Sequence, residues 1–254
     1  ESMESSYADQ EDGGIMDDNY IPNLTKLARE NVQFTDKKDG KVGGPVCLEA
    51  TAYTAGGLVA QTSAINLKVM NSGAVSDSFL PNLTALGDIL NKQGYNQMFL
   101  CGSDGDFAGR DAYFKTHKDY QIEDYKAAIK EGDIPKDYKV YWGHEDKVLY
   151  ERAKKNLKKL SKEGKPFNLT MLTVDTHFPN GYICDLCENK YDTTYGNAVA
   201  CADRQVYDFV QWIKKQDFYE DTTIIIAGDH TSMVDTGSKF WKSLSNDYQS
   251  TVYN

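Results

Sequence analysis

The chain has 254 residues, enough for one large α/β domain or two small ones with a sizeable core, and its 40% hydrophobic content is ordinary for a globular protein. A formal net charge of −10 and a pI near 4.9 argue against nucleic acid as a partner and against a polybasic grip on anionic lipid. No run approaches the ~18 to 20 apolar residues of a membrane span. No signal peptide is visible, and the sequence opens on Glu1 inside a motif, so the expectation is a single domain over 1–254, truncated at both ends.

In chain order, PNLTKLAREN (22–31) reads as the start of an amphipathic helix, and PNLTALGDILNKQG (81–94) as another that stops at a glycine. The shared PNLT is explained as helix-start chemistry rather than as a repeat. YNQMFLCG (95–102) is a short strand running into a glycine turn. Residues 147–163 have helical spacing at Val148, Leu149, Ala153, Leu157 and Leu160, ended by Gly164 and Pro166. FNLTMLTVDTH (167–177) is a strand finishing in Asp175 and His177. Residues 199–214 carry Val206, Phe209, Val210 and Ile213 on one helical face. TTIIIAGDH (222–230) then reads as a buried strand ending in Asp229 and His230. This alternation is that of an α/β sheet. The NLT tripeptides match the N-glycosylation pattern and are read as chance.

The five cysteines are Cys47, Cys101, Cys184, Cys187 and Cys201. Cys184 and Cys187 form a CxxC, but no second CxxC or histidine pair completes a zinc ribbon. A disulfide is favoured over unpaired thiols, with Cys187–Cys201 the first choice and one cysteine left over.

In open α/β sheets, sites form beyond the carboxyl ends of the strands. Here three strands end in polar groups: Asp229 with His230, Asp175 with His177, and Cys101 followed by GSDGDFAGRD with Arg110. Carboxylate and imidazole are ligands for Zn²⁺ or Mn²⁺, though a lone Asp-His pair is weak evidence without further ligands. ESMESSYA (1–8) is rich in carboxylates and hydroxyls. In ATAYTAGGLVAQTSAI (50–65), Thr54 precedes two glycines and an apolar helical run, a place where free N–H groups can meet a phosphate. Threonine is a poor nucleophile unless something such as a metal lowers its pKa, and on local sequence alone an unreactive helix N-cap is the stronger reading of Thr54. His117 and His144 sit among charges and are expected at the surface. WGHEDK (142–147) offers Trp142 or His144 to a site, although a core tryptophan before a helix start is the stronger reading.

Together ESMES, PNLTKLA, YTAGGLVA, FAGRD, VDTHFPNGY and AGDH, in this order from residue 1 to about 235, resemble the phosphoglycerol transferase and lipoteichoic acid synthase branch of the alkaline phosphatase and sulfatase superfamily. The resemblance implies an alkaline phosphatase-like three-layer α/β sandwich with a mostly parallel central sheet flanked by helices. It implies one divalent metal ion, Mn²⁺ first with Zn²⁺ or Mg²⁺ open, held by Glu1, Thr54, Asp229 and His230. Thr54 would also be the nucleophile, and Arg110 and His177 would contact the substrate. The implied reaction moves glycerol phosphate from phosphatidylglycerol to a cell-envelope glycan or teichoic acid through a phospho-threonine. The implied setting is the outer face of a bacterial membrane, anchored through segments this chain lacks.

Departures from the pattern matter. Members of the lipoteichoic acid synthase type have a histidine near the position of Cys101 and a tryptophan near that of Ala108, so the acceptor is open. A phosphoethanolamine transferase keeps the same nucleophile type. A sulfatase-like hydrolase would be expected to carry C-x-[PA]-x-R, which is absent. A non-catalytic envelope glycan-binding domain is the reading from a different class.

Overall fold

The computed structural model describes residues 1–35, 37–67, 78–233 and 248–254. Contacts group into two compact units, Tyr53–Val174 on the one hand and Glu1–Ala52 with Asp175–Asn254 on the other.

The unit from 53 to 174 is built on a parallel sheet in the order β2-β1-β3, with β1 spanning Asn96–Cys101, β2 Gln121–Glu123 and β3 Phe167–Leu172. Central β1 is buried from Gln97 to Cys101, as expected of a parallel strand covered on both faces. Helices flank the sheet: α2 (Thr54–Ser63), α3 (Leu86–Lys92), α4 (Arg110–Thr116), α5 (Tyr125–Glu131) and α6 (Asp146–Leu160). Helix α6 packs on β1 and β3 through the stripe containing Leu149, Ala153, Leu157 and Leu160, all buried, while Val148 is half-buried. The core gathers Leu58, Phe79, Phe99, Phe114 and Leu172, with Phe99 stacked on Phe114 at 4.1 Å between ring centres.

The second PNLT does not start a helix. Helix α3 begins five residues later than the motif suggests, where the Asp88 carboxylate accepts the Ala85 N–H at 2.8 Å and so satisfies an otherwise orphaned donor. His117 and His144 are not surface residues, being 2% and 0% exposed. His117 packs beside Tyr113 and meets Asp88 Oδ2 at 2.8 Å. The His144 N–H donates to the Gly102 carbonyl at 2.8 Å, and burial pushes its imidazole pKa down to about 4. Trp142, by contrast, is 40% exposed and tilts against Phe107, so it is not a core tryptophan. Arg152 is buried and threads its guanidinium between Glu123, at 2.7 Å, and Asp133, at 3.0 Å, so the charges in this interior are paired.

The other unit pairs α1 (Pro22–Glu30) with α7 (Thr194–Ile213). Pro22 occupies the first turn, where a missing N–H costs nothing. The next donors are capped from α7: Asp203 accepts from the Leu24 N–H at 2.7 Å and from the Asn23 backbone and side chain at 3.2 and 2.7 Å. Helix α7 starts five residues before the predicted segment because Thr193 caps it, accepting the Gly196 N–H. Tyr7, Ile21, Leu24, Leu27, Val199 and Val210 form the core of this unit.

Residues 222–228 form neither helix nor strand and join no ladder among the described residues. Ile224 and Ile226 lean on the core, whereas Ile225 is 80% exposed, so the isoleucine segment is not the buried strand its composition predicts. The apolar run supplies β propensity, but a ladder needs a partner, and propensity alone does not provide one. Among the described residues, no helix is long and apolar enough to cross a membrane.

Candidate metal centre and active site

Three backbone segments converge in the unit formed by the chain ends. Residues 251–253 run beside residues 3–5: the Ser5 N–H donates to Thr251 and the Tyr253 N–H to Met3, both at 3.0 Å, around an antiparallel bridge between Glu4 and Val252. The Gly228 N–H donates to the Tyr253 carbonyl at 3.0 Å. Gly228 also passes so close to Met3 that a Cβ there would lie 2.2 Å from the Met3 carbonyl oxygen. The glycine before Asp229 is therefore a requirement of approach, which brings the 229–230 turn against the start of the chain.

That approach assembles Glu1, Asp229 and His230, all buried, with one ligand atom from each lying within 4.8 Å of the others. His230 Nε2 is 3.5 Å from Glu1 Oε1 and 3.5 Å from Asp229 Oδ2. The other ring nitrogen, Nδ1, lies 2.8 Å from the Thr231 carbonyl. A proton on Nδ1 donated to that carbonyl leaves the Nε2 lone pair facing the two carboxylates, the tautomer a metal ligand needs. Among the described residues Asp229 Oδ2 is buried without a hydrogen-bond partner, which is costly unless a cation fills the role. Two carboxylates and one imidazole fit a divalent ion of the Mn²⁺, Zn²⁺ or Mg²⁺ kind.

Two supporting residues were hidden within the acid- and hydroxyl-rich opening run. Ser2 donates its hydroxyl to Glu1 Oε1 at 3.1 Å and lies 3.4 Å from His230 Nδ1. Glu4, fully buried, accepts the backbone N–H of Ser232 and the Ser6 hydroxyl, the latter at 2.5 Å, and so ties down the turn that carries Asp229 and His230. Burial pushes the Glu4 carboxyl pKa up, and these donors pull against that. Only the crowding of oxygens in ESMESS hinted at such support.

In the same unit Asp175 and His177 lie on a tight turn, closed by Tyr182 N–H to the Asp175 carbonyl at 2.8 Å and Gly181 N–H to the His177 carbonyl at 3.0 Å. Gly181 has φ +66°, and its missing side chain makes room for Ala198. His177 is half-buried, stacks on Phe178 and sets Nδ1 2.7 Å from the Phe178 carbonyl. It is not part of the three-ligand cluster.

Thr54 is the first residue of α2 in the other unit, after Tyr53 at the cap position, and is half-buried. It is followed by the buried Ala55, Gly56 and Gly57. Arg110 opens α4 and is 7% exposed. Its Nε donates to the Phe107 carbonyl at 3.0 Å, and Nη2 to Ser103 Oγ at 3.0 Å and the Asp104 carbonyl at 2.7 Å. These bonds hold the 103–110 loop, and Nη1 is the nitrogen left without a bond among the described residues. Cys101 donates to the Ser103 carbonyl, and burial pushes its thiol pKa up to about 11, so it is no nucleophile at neutral pH. Cys187 and Cys201 are joined in a disulfide, and three cysteines, rather than one, lie outside it.

A sequence model of the Sulfatase family matches residues 1–250. Phosphoglycerol transferase I of Escherichia coli O6:K15:H31 is 32% identical over 265 aligned residues, and its counterpart in Salmonella choleraesuis is 31% identical. Each alignment covers the whole of this chain and 32% of the relative, so the chain spans about a third of the length of these proteins. Among solved structures, an alkaline phosphatase superfamily protein from Vibrio parahaemolyticus matches with TM-score 0.71 at 24% identity, covering 91% of this chain and 52% of that one. The lipoteichoic acid synthase LtaP from Listeria monocytogenes matches with TM-score 0.70 at 19% identity, covering 91% and 54%. At these identities the structural likeness speaks to the fold, and that fold is the alkaline phosphatase-like one.

Proposed function

The chain belongs to the sulfatase family, and from that premise we propose that it carries the catalytic domain of a metal-dependent phosphoglycerol transferase. The observation that carries the reading is the convergence of Glu1, Asp229 and His230, from opposite ends of the chain, into one buried oxygen-and-nitrogen cluster. The relatives named phosphoglycerol transferase I support the choice of reaction within the superfamily.

In this reading Glu1, Asp229 and His230 hold one divalent ion, Mn²⁺ first. A bound ion supplies charge to polarise a phosphoryl oxygen and to favour an ionised hydroxyl. The Thr54 hydroxyl attacks phosphorus in the phosphatidylglycerol headgroup, diacylglycerol leaves, and a glycerophospho-threonine forms. A hydroxyl of an envelope glycan or of a polyglycerol phosphate chain then displaces Thr54. His177 and Arg110, the latter through Nη1, offset negative charge on the transferring group. The assignment of Thr54 as nucleophile and further ligand rests on the sequence resemblance. The setting we propose is the outer face of a bacterial membrane.

The test is release of diacylglycerol from vesicles containing fluorescent phosphatidylglycerol, with and without Mn²⁺, for the wild type and Thr54→Ala. Metal-dependent release that disappears in the variant is the expected result. A folded, metal-binding protein that releases nothing would assign the domain to another headgroup or to a binding role.

A further inference from the structure

A second cluster of metal-type ligands lies away from the Glu1, Asp229 and His230 centre: Cys184, Cys187 and Cys201 place their three sulfurs within 4.8 Å of one another. Cys184 and Cys187 come from one turn, closed by the Cys187 N–H donating to the Cys184 carbonyl at 3.1 Å, and Cys201 comes from the second turn of α7. Cys184 and Cys201 are buried, and Cys187 is half-buried.

We propose that, once the Cys187–Cys201 bond is reduced, these sulfurs form a thiolate site for a thiophilic cation, Zn²⁺ being the one the geometry fits. Tetrahedral sulfurs at about 2.3 Å from a zinc ion lie about 3.8 Å from one another. Cys184 Sγ and Cys187 Sγ are already 3.6 Å apart. Breaking the Cys187–Cys201 bond frees those two sulfurs to part from bonding distance toward that spacing. Two of the sulfurs also receive N–H donors suited to a thiolate: the Cys184 N–H reaches Cys187 Sγ at 3.3 Å, and Gln205 Nε2 reaches Cys201 Sγ at 3.6 Å. Beside Cys187 a pocket lined by Glu188, Asn189 and Asp192 leaves room for a fourth ligand, a water or a carboxylate. Cys47 and Cys101 take no part, since their thiols donate to the carbonyls of Thr51 and Ser103.

The chemistry balances with a dithiol or phosphine as the named reductant. Two electrons from the reductant and two protons convert the disulfide to two thiols while the reductant is oxidised. Zn²⁺ then displaces the protons of Cys184, Cys187 and Cys201 as three zinc–sulfur bonds form. A two-electron oxidant of the disulfide or peroxide class reverses this: it takes two electrons from the Cys187 and Cys201 thiolates as their bond re-forms, is itself reduced, and the ion leaves with the third sulfur reprotonated. In either state the turn at 184–187 stays fastened to α7, by a bond in one and by an ion in the other.

The test is titration of the phosphine-reduced, metal-free chain with Co²⁺, reading the sulfur-to-cobalt charge-transfer absorption, followed by displacement with Zn²⁺. The expected result is a band that saturates by two equivalents in the wild type and at one in His230→Ala, which lacks a ligand of the other proposed centre, and that is bleached by Zn²⁺ in both. Cys184→Ser should weaken this site by tenfold or more. That variant keeps the Cys187–Cys201 pair, so its fold is checked by circular dichroism in the oxidised form. Absence of the band in the reduced wild type, or an undiminished band in Cys184→Ser, would overturn the proposal. Should the reduced chain be unfolded without metal, Zn²⁺ must restore its circular dichroism spectrum, and failure to do so overturns the proposal equally.

Discussion

Gly228→Ala tests whether backbone approach, rather than the side chains of Glu1, Asp229 and His230 alone, builds the proposed metal centre. A methyl at this position would sit 2.2 Å from the Met3 carbonyl oxygen and 2.9 Å from Val252 Cγ1. Comfortable carbon contacts start near 3.5 Å, so the Met3 segment and the 228–230 segment must part by about 1 Å. The obstructing atom is backbone, held by the hydrogen bond from Tyr253 to Met3, and it has no rotamer to move into. Overpacking of this kind costs about 1 to 3 kcal/mol of stability. The larger effect falls on the site, because Glu1 lies two residues before Met3 and Asp229 one residue after Gly228. A misplacement of about 1 Å in a preorganised constellation costs on the order of a hundredfold. The expected outcome is a loss of Mn²⁺ affinity of tenfold or more by titration calorimetry, in a protein that still unfolds cooperatively. Gly94→Ala is the control: Gly94 has φ +80° with open space around its Cβ position, so the strain costs about 1 kcal/mol and leaves metal affinity unchanged. Wild-type affinity in Gly228→Ala would refute the reasoning.

Other expectations follow from buried polar groups. His144 has its pKa lowered to about 4 by burial, against about 6.5 unfolded, so the unfolded chain binds the extra proton between those values. Its contribution is fully present above pH 6.5 and is lost as pH falls through 4, up to about 3 kcal/mol; urea unfolding at pH 7 and pH 4.5 should show this loss in the wild type and less of it in His144→Gln. Arg152→Met leaves Glu123 buried with its charge unpaired and should destabilise the protein by about 3 to 5 kcal/mol, seen as a lower urea midpoint. Asp203→Ala strips the cap from α1 and orphans buried donors at Leu24 and Asn23, which should cost about 1 to 3 kcal/mol in thermal unfolding. A smaller loss in Asp203→Asn, which keeps one acceptor oxygen, would distinguish capping from a general effect of the substitution.

Local pattern carried the elements whose stabilising contacts are repeated along one face. Helix α6 was legible because Leu149, Ala153, Leu157 and Leu160 recur at helical spacing and do line one buried stripe. Strand β1 was legible because a short, continuous apolar run between glycines suits a central parallel strand. The failures occurred where a distant partner decides the outcome. PNLT starts α1 at Pro22 because Asp203 of α7 supplies the cap, and it starts nothing at Pro81, where the cap comes from Asp88 instead. His144 looks exposed among Glu145, Asp146 and Lys147, yet the close approach of Gly102 removes it from water.

The same distinction governs the site. Motif order pointed to Glu1, Asp229 and His230 without saying how residues so far apart in sequence come to lie with ligand atoms within 4.8 Å of one another. The answer lies in groups that carry no chemistry of their own: the absent side chain of Gly228, the carbonyl of Met3, and the backbone of Thr251 to Tyr253 laid beside both. Glu4 adds a side-chain strut from the first segment to the Ser232 N–H of the last. Each of these contacts joins the first residues of the chain to its last described ones, so folding must close a long loop before Glu1 meets Asp229 and His230. An ion that binds only the closed arrangement adds its binding free energy to the stability of that closure. On the proposed assignment, metal affinity and the stability of the unit that holds Glu1, Asp229 and His230 are therefore one linked quantity, and substitutions at Gly228 or Glu4 should lower both together.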